Sequence, residues 1–131
     1  MAQHEAQHPE YADYIPHLLP LDTAFADVVR RNPALVAMVQ QVIGTDVCLW
    51  NQSFFAKPAA TGRKVPFHQD GEYWPITPLA TCTVWIAIDH SRVENGCLQV
   101  VPGSHRARRL FEHEHKDDPS LALSLEVKTD D

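Results

Sequence analysis

The sequence lacks an even set of closely spaced cysteines and an excess of basic residues, and each absence argues against a class of protein. Its three cysteines, Cys48, Cys82 and Cys97, are an odd number at wide spacing, which argues against a disulfide framework or a zinc site. We expect buried free thiols in a reducing compartment. The chain has 11 Lys and Arg residues against 17 Asp and Glu, a net charge of -6, and this balance gives no indication of nucleic-acid binding.

Long hydrophobic runs are also missing from the sequence. No apolar run approaches the roughly 20 residues that a membrane-spanning helix needs, and the first ten residues lack the apolar segment of a signal peptide. We therefore expect a soluble, cytoplasmic protein without a membrane partner. With 131 residues the chain has the length of one domain, which is enough to bury a hydrophobic core.

The period of the hydrophobic pattern changes from helical to strand-like after Gly44. Residues 1–20 have no clear period and contain three prolines, so we expect an irregular lead-in. In residues 21–44 apolar side chains recur at helical spacing. In residues 45–131 they recur at every second position, in stretches that are separated by turn signals. The pattern predicts one mainly β domain over residues 1–131 with helices near its N-terminus. The strand candidates are residues 46–56, 64–70, 81–89, 96–101 and 121–128.

Two helices are predicted within residues 21–44. The first spans about residues 22–31. The second begins after Asn32, whose side chain can cap a helix that has Pro33 in its first turn, and Gly44 ends it. The predicted apolar faces are Ala24, Phe25, Val28 and Val29 on the first helix, and Leu35, Val36, Val39, Val42 and Ile43 on the second.

The run Phe67-His68-Gln69-Asp70 places an imidazole and a carboxylate two residues apart in a stretch with a strand pattern. Side chains at positions i and i+2 of a strand point to the same face, so His68 and Asp70 could bind one metal ion. One His and one carboxylate are two of the three protein ligands in the facial triad of non-haem Fe(II) oxygenases. Without further context, a buried structural pair, in which the imidazole is hydrogen-bonded to the carboxylate, is the favoured interpretation.

A second His-x-Asp, His115-Lys116-Asp117, lies in the charged tract of residues 112–118. The composition of this tract is typical of metal-binding sequences. It lacks the apolar framing that fixes ligand geometry, however, so we interpret it as a solvated loop.

The motif around His68 is one of several that follow each other over about residues 35–131. They are Phe54-Phe55-Ala56-Lys57-Pro58, Phe67-His68-Gln69-Asp70, Tyr73-Trp74-Pro75, Thr83-Val84-Trp85-Ile86-Ala87-Ile88-Asp89, Glu94-Asn95-Gly96-Cys97-Leu98 and Val101-Pro102-Gly103-Ser104-His105. In this order they resemble the phytanoyl-CoA dioxygenase family of Fe(II)- and 2-oxoglutarate-dependent oxygenases.

The resemblance implies a double-stranded β-helix, a jelly-roll barrel with helices outside, of which this chain holds only a part. It implies Fe(II) as cofactor, 2-oxoglutarate as cosubstrate, and O2 and a small molecule as the other substrates. His68 and Asp70 match the first two iron ligands, and a carboxylate at Asp70 favours hydroxylation over halogenation. Trp85 and Ser53 match positions at the 2-oxoglutarate pocket. Gln69 belongs to the motif and is assigned to the cosubstrate site, or instead orients the loop by bonding a neighbouring strand.

In relatives a distal His, the third ligand, and an Arg for the far carboxylate of 2-oxoglutarate follow the Pro-Gly-Ser-His turn by several tens of residues. His105, His113 and His115 come too early to match that His, and no Arg follows Arg109. We therefore expect an incomplete family domain with little or no turnover of its own. The alternative is an inactive jelly-roll remnant that binds metal, forms a homodimer or pairs with a complementary chain, because unpaired strand edges favour association.

Overall fold

The structure is a computed structural model that describes residues 14–15 and 23–128. Within these residues it contains two α-helices and four short strands. The elements are β1 (Tyr14–Ile15), α1 (Thr23–Arg30), α2 (Pro33–Ile43), β2 (Phe54–Phe55), β3 (His113–His115) and β4 (Leu125–Val127), with 3-10 helices at Asp70–Tyr73, Val93–Asn95 and Ser104–Ala107. The chain forms two compact units: an N-terminal unit of residues up to 58 with 80–84, and a C-terminal unit of residues 59–79 with those from 85 onward.

The two helices of the N-terminal unit have the predicted boundaries to within one or two residues. Oδ1 of Asn32 accepts hydrogen bonds from the backbone N–H groups of Ala34 at 3.0 Å and Leu35 at 3.3 Å, which satisfies donors that a helix start leaves open. Gly44 ends α2 with a φ of 102°, and its N–H donates to the carbonyl of Gln40. Both predicted end signals of α2 are confirmed.

The apolar faces of the helices are covered less than predicted. On α2 no side chain is fully buried, and Val42 is exposed, although the other four residues of its predicted stripe are half-buried. On α1 Val28 is exposed, against the prediction, and Val29 is half-buried, while the side chains of Ala24 and Phe25 lie outside the described part of the structure. Ala26, which was not in the predicted set, is buried. Periodicity predicts which side chains share a face, but the depth of burial depends on what packs against that face.

A two-residue ladder joins β1 to β2 in the N-terminal unit. The strands are antiparallel, with Tyr14 opposite Phe55 and Ile15 opposite Phe54. The structure therefore differs from the expected irregular lead-in at residues 14 and 15, and the rest of that segment lies outside the described residues. The predicted strand at 46–56 is reduced to its last part.

The C-terminal unit is organised around the antiparallel pair β3 and β4. His113 lies opposite Val127, Glu114 opposite Glu126 and His115 opposite Leu125. The like charges of Glu114 and Glu126 are offset by Lys116, whose Nζ lies 2.5 Å from the first carboxylate and 3.8 Å from the second. The predicted half-buried antiparallel strand at 121–128 is confirmed over residues 125–127.

Two other strand candidates, residues 81–89 and 96–101, form no ladder among the described residues. Their apolar side chains are largely exposed: Val84, Trp85, Ile86, Ile88, Leu98, Val100 and Val101. A strand needs a hydrogen-bonded neighbour, and alternation in the sequence does not reveal whether one is present. The short antiparallel sheets and sparse helices are compatible with a mainly β domain.

Asn95-Gly96, a pair typical of tight hairpin turns, lies at the end of the 3-10 helix Val93–Asn95. Gly96 adopts the left-handed conformation with a φ of 80°, which glycine enters without steric cost. Oδ1 of Asn95 accepts the N–H of Arg92 at 2.8 Å, and the N–H of Cys97 donates to the carbonyl of Arg92 at 3.0 Å. The Asn-Gly pair forms a tight turn, but among the described residues no ladder flanks it.

The three cysteines are free, as predicted. Cys48 and Cys82 are exposed and Cys97 is half-buried, so the expectation of buried thiols was wrong. Among the helices in the described part of the chain, none is long and apolar enough to cross a membrane.

Candidate metal centre

The imidazole of His68 lies between a backbone carbonyl and a carboxylate. Its Nδ1 is 2.9 Å from the carbonyl oxygen of Pro66, and its Nε2 is 3.2 Å from Oδ1 of Asp70. Because a carbonyl oxygen can only accept, the Nδ1 hydrogen donates to Pro66, and in the neutral ring Nε2 then presents a lone pair. Two electron-pair donors therefore face each other, an arrangement that attracts a proton or a metal cation.

The local backbone explains why these two side chains meet. Gln69 is extended, with φ -110° and ψ 126°, and Asp70 begins the 3-10 helix Asp70–Tyr73. The predicted strand at 64–70 is reduced to an isolated bridge between Lys64 and Leu121. One extended residue between His68 and Asp70 is enough to place their side chains on the same side.

Gln69 ties the segment to the chain that precedes β3. Its side-chain amide donates to the carbonyl of Arg109 at 3.0 Å, and its Oε1 accepts the N–H of Phe111 at 2.6 Å. Its backbone N–H donates to Nε2 of His113 at 3.0 Å. Both ends of the Gln69 side chain therefore bond backbone groups, as in the loop-orienting alternative, and its assignment to the cosubstrate site stays a prediction.

A second attachment joins the same segment to β4. The N–H of Val127 donates to the carbonyl of Phe67 at 2.8 Å, one residue before His68. The N–H of Lys128 donates to the carbonyl of Glu112 at 3.0 Å, and their side chains form an ion pair. The two-stranded sheet is therefore the platform on which the His68 segment lies.

The two facing groups differ in exposure. The His68 side chain is 17% exposed and that of Asp70 is 41% exposed. The ring of Tyr73 packs edge-on against that of His68, with centroids 5.6 Å apart. The imidazole is thus held by packing, while the carboxylate is accessible to solvent and to an incoming ion.

The carboxylate changes the proton affinity of the imidazole. The hydrogen bond to Asp70 raises the pKa of His68, burial of the ring opposes this, and the hydrogen bond to the Pro66 carbonyl raises it further. The contact with Asp70 therefore stabilises the protonated form of the His68 ring relative to its neutral form.

The pair also fits a shared divalent cation. With metal–ligand distances of about 2.1 Å, neighbouring donors of an octahedral site lie about 3.0 Å apart, close to the 3.2 Å between Nε2 and Oδ1. The Pro66 carbonyl supplies the outer hydrogen bond that usually orients a histidine ligand. Across residues 14–15 and 23–128, no group of three or more His, Cys, Asp or Glu side chains is arranged to hold a metal, so the pair offers two protein donors.

His113 was misjudged from the sequence. The tract 112–118 was interpreted as a solvated loop, but His113 begins β3 and its side chain is only 1% exposed. The interpretation was wrong for this residue because two charged neighbours hid the strand pattern. Phe111 and His113 lie two residues apart, as residues on one face of a strand do, and this spacing could have revealed a half-buried strand. In the structure both are less exposed than Glu112 between them.

The two other predicted site residues, Trp85 and Ser53, belong to different units of the chain. Trp85 belongs to the C-terminal unit and has an exposed side chain. Ser53 belongs to the N-terminal unit, directly before β2, and is half-buried. Their contacts to 2-oxoglutarate stay predictions.

Comparison with known families decides the assignment. The family model described as Phytanoyl-CoA dioxygenase (PhyH) matches residues 3–128. The chain belongs to the phytanoyl-CoA dioxygenase family. The resemblance inferred from the ordered motifs is therefore confirmed.

Curated members and relatives of the family match parts of the chain. A phytanoyl-CoA dioxygenase domain-containing protein 1 homolog of Dictyostelium discoideum is 42% identical over 52 residues, 40% of this chain and 18% of that protein. The human peroxisomal phytanoyl-CoA dioxygenase is 34% identical over 79 residues, 56% of this chain and 23% of the human protein. A probable alpha-ketoglutarate-dependent hypophosphite dioxygenase of Stutzerimonas stutzeri is 29% identical over 87 residues, 66% and 30% of the two chains.

The matched region spans less than a third of the length of each of these relatives. No solved structure matches the chain significantly. The relatives' names describe dioxygenases, and one of them includes dependence on alpha-ketoglutarate, which is 2-oxoglutarate. A family of dioxygenases implies O2 and a small-molecule substrate.

Proposed function

We propose that His68 and Asp70 are the first two iron ligands of an Fe(II)- and 2-oxoglutarate-dependent dioxygenase that hydroxylates a small molecule. The observation that supports this most directly is the 3.2 Å approach of Nε2 to Oδ1, with Nδ1 already bonded to Pro66. We propose that residues 1–131 belong to one domain, in which residues 45–131 form part of a double-stranded β-helix.

Fe(II) bound by the pair would supply the oxidising chemistry, in which 2-oxoglutarate is decarboxylated and a C–H bond of the substrate is hydroxylated. The chain's own contribution is charge and orientation. Pro66 keeps the hydrogen on Nδ1 of His68, so that the lone pair of Nε2 is available to the ion. Asp70 supplies a negative charge that lowers the net charge of the site, and the carboxylate at this position favours hydroxylation. Trp85 and Ser53 are the proposed contacts to 2-oxoglutarate.

The metal assignment is tested by anaerobic dialysis of the purified chain against Fe(II), followed by analysis for iron, zinc and manganese. We expect the wild-type chain to retain iron above the level of His68→Ala and Asp70→Ala, which remove one donor each. Equal iron in all three proteins contradicts the proposal, and preferential retention of zinc or manganese points to different metal chemistry on the same pair.

Turnover is tested separately, by succinate formed from 2-oxoglutarate with added Fe(II) and O2. Two protein ligands hold Fe(II) far more weakly than three, so we expect little or no succinate above the Asp70→Ala background. Robust turnover that depends on Asp70 would show that the chain forms a complete site, and would overturn the expectation of inactivity while supporting the dioxygenase assignment.

The second candidate function is self-association of a metal-binding jelly-roll remnant, either as a homodimer or with a complementary chain. The observation that favours it is the exposure of apolar side chains in the C-terminal unit, including Trp85, Ile88 and Val100, because contiguous exposed apolar surface marks interaction sites. Size-exclusion chromatography with light scattering tests it. A dimer or larger assembly supports it, and a stable monomer across a hundredfold range of concentration contradicts it.

We also propose that the protein acts in the cytoplasm and binds neither nucleic acid nor membranes. The net charge of -6 supports the absence of nucleic acid. The human relative is named peroxisomal, so the location needs its own test. Fluorescence of the tagged protein in its own cells distinguishes diffuse cytoplasmic signal from an organelle.

A further inference from the structure

A buried histidine outside the metal pair holds the backbone between its two members. The His113 side chain is 1% exposed. Its Nδ1 lies 2.9 Å from the carbonyl oxygen of Phe111, and its Nε2 lies 3.0 Å from the backbone nitrogen of Gln69. Because the carbonyl can only accept and the backbone N–H can only donate, the neutral ring with hydrogen on Nδ1 satisfies both partners. Glu72 lies near the same edge of the ring, with Oε2 3.7 Å from Nδ1.

The contact between His113 and Gln69 affects the metal pair because of where Gln69 lies in the chain. Gln69 is the only residue between His68 and Asp70, and its extended backbone places their side chains on the same side. The side-chain amide of Gln69 bonds residues 109 and 111, but its backbone N–H is fixed by His113 alone among the described contacts of that group. Rotation of the backbone at Gln69 would redirect His68 and Asp70 relative to each other.

β3 in turn holds His113 firmly. His113 pairs with Val127 across the sheet, and the N–H of Val127 bonds the carbonyl of Phe67. The His68 segment is therefore attached at Phe67 through β4 and at Gln69 through β3. A histidine whose ring is fully used in this way has no free nitrogen for a metal ion.

We propose that His113 is a positioning residue, which orients the Gln69 backbone so that His68 and Asp70 converge on one cation. The inference rests on the proposed function for the identity of the pair as metal ligands. In this proposal His113 does not bind the metal ion. It accepts the backbone N–H of Gln69, which lies between the two ligands. Outer contacts that orient metal ligands typically change metal affinity by about 10- to 100-fold when removed.

The wild-type chain provides the first test, by NMR without metal. An N–H···N hydrogen bond transmits a scalar coupling between its two nitrogens, so we expect a coupling between the Gln69 amide nitrogen and Nε2 of His113. Long-range proton–nitrogen spectra should show hydrogen on Nδ1 of His113 and none on Nε2. Absence of the coupling, or hydrogen on Nε2, overturns the inference.

Two matched variants separate positioning from packing. In His113→Gln the Oε1 atom can take the place of Nε2 and accept the Gln69 N–H, whereas in His113→Asn the side chain keeps a donor near Nδ1 but does not reach Gln69. Both remove the ring. We expect Gln69 amide exchange at least about tenfold faster in His113→Asn than in His113→Gln, with ring contacts between His68 and Tyr73 lost only in His113→Asn.

Titration with Mn(II), followed by broadening of the His68 and Asp70 signals, links the contact to the metal. We expect apparent affinity about tenfold weaker in His113→Asn than in His113→Gln. Equal exchange and equal affinity in the two variants overturn the positioning role, since a purely structural ring affects both alike. If Mn(II) fails to broaden the wild-type pair, the proposed function fails, and the metal-free exchange and ring contacts still decide whether His113 positions the segment.

Discussion

Nε2 of His68 lies 3.2 Å from Oδ1 of Asp70, although neither residue belongs to a hydrogen-bonded strand. Their approach depends on the extended backbone of Gln69 between them and on its hydrogen bonds, which Gln69 donates to residues 109 and 113 and accepts from residue 111. The geometry of the candidate centre is therefore built by contacts between side chains and backbone. These contacts can be removed one at a time, which makes the account testable.

The pKa of His68 in the metal-free chain should lie above its ordinary value of about 6.5, because the protonated ring donates to Asp70. This interaction stabilises the folded chain fully below the unfolded pKa, and the stabilisation is lost as pH rises through the folded pKa. A pH titration of the His68 ring by NMR checks the value. Asp70→Asn should lower it, and a wild-type pKa at or below 6.5 would count against the observed contact.

Metal affinity should show the opposite dependence on pH. A metal ion and a proton compete for Nε2 of His68, so affinity for Mn(II) should rise as pH increases through the folded pKa of the ring. Titrations of the same sample at several pH values measure this. Affinity that is independent of pH below that pKa would place the ion elsewhere.

Truncation of Gln69 should destabilise the C-terminal unit. Gln69→Ala removes two hydrogen bonds, an exposed one to the Arg109 carbonyl and a part-buried one from the Phe111 N–H. Their loss should lower the free energy of unfolding by about 1–2 kcal/mol. Urea unfolding followed by NMR signals of β4 measures the change. Gln41→Ala is the matched control: Gln41 is exposed on α2 and its side-chain amide donates to the carbonyl of Ala37 in the same helix, so the free energy of unfolding should change by less than about 0.5 kcal/mol. Equal effects of the two substitutions would show that the Gln69 bonds contribute little.

Removal of the cap of α2 should destabilise the N-terminal unit. Asn32→Ala deletes the acceptor of two backbone N–H groups. Such a change typically lowers the free energy of unfolding by about 1 kcal/mol. Asn32→Ser keeps an acceptor and should cost only a few tenths of a kcal/mol. Signals of α2 in a urea series measure both. An unchanged midpoint in Asn32→Ala would mean that water replaces the cap.

Sequence patterns predicted the parts of the fold that depend on neighbouring residues. Asn32-Pro33 and Gly44 predicted the ends of α2, and the spacing of His68 and Asp70 predicted their approach, because each signal acts over a few residues. Trp85 and Val100 lie in strand candidates that pair with no strand in the described part of the chain, since pairing depends on a partner distant in sequence. The spacing of Phe111 and His113 is a local strand signal that the charged neighbours of His113 hid. The bond partner of its ring, Gln69, and its strand partner, Val127, lie far along the chain and could not be read from local spacing.

The most direct test of the central claim is a titration of the ¹⁵N-labelled chain with Mn(II), observed residue by residue. If His68 and Asp70 hold a divalent cation together, their signals and those of Gln69 should broaden first, and either His68→Ala or Asp70→Ala should abolish this response. His115→Ala, a change in the exposed end of β3, should leave it intact. Broadening that begins in the charged tract of residues 112–118 and survives both substitutions at the pair would contradict the claim.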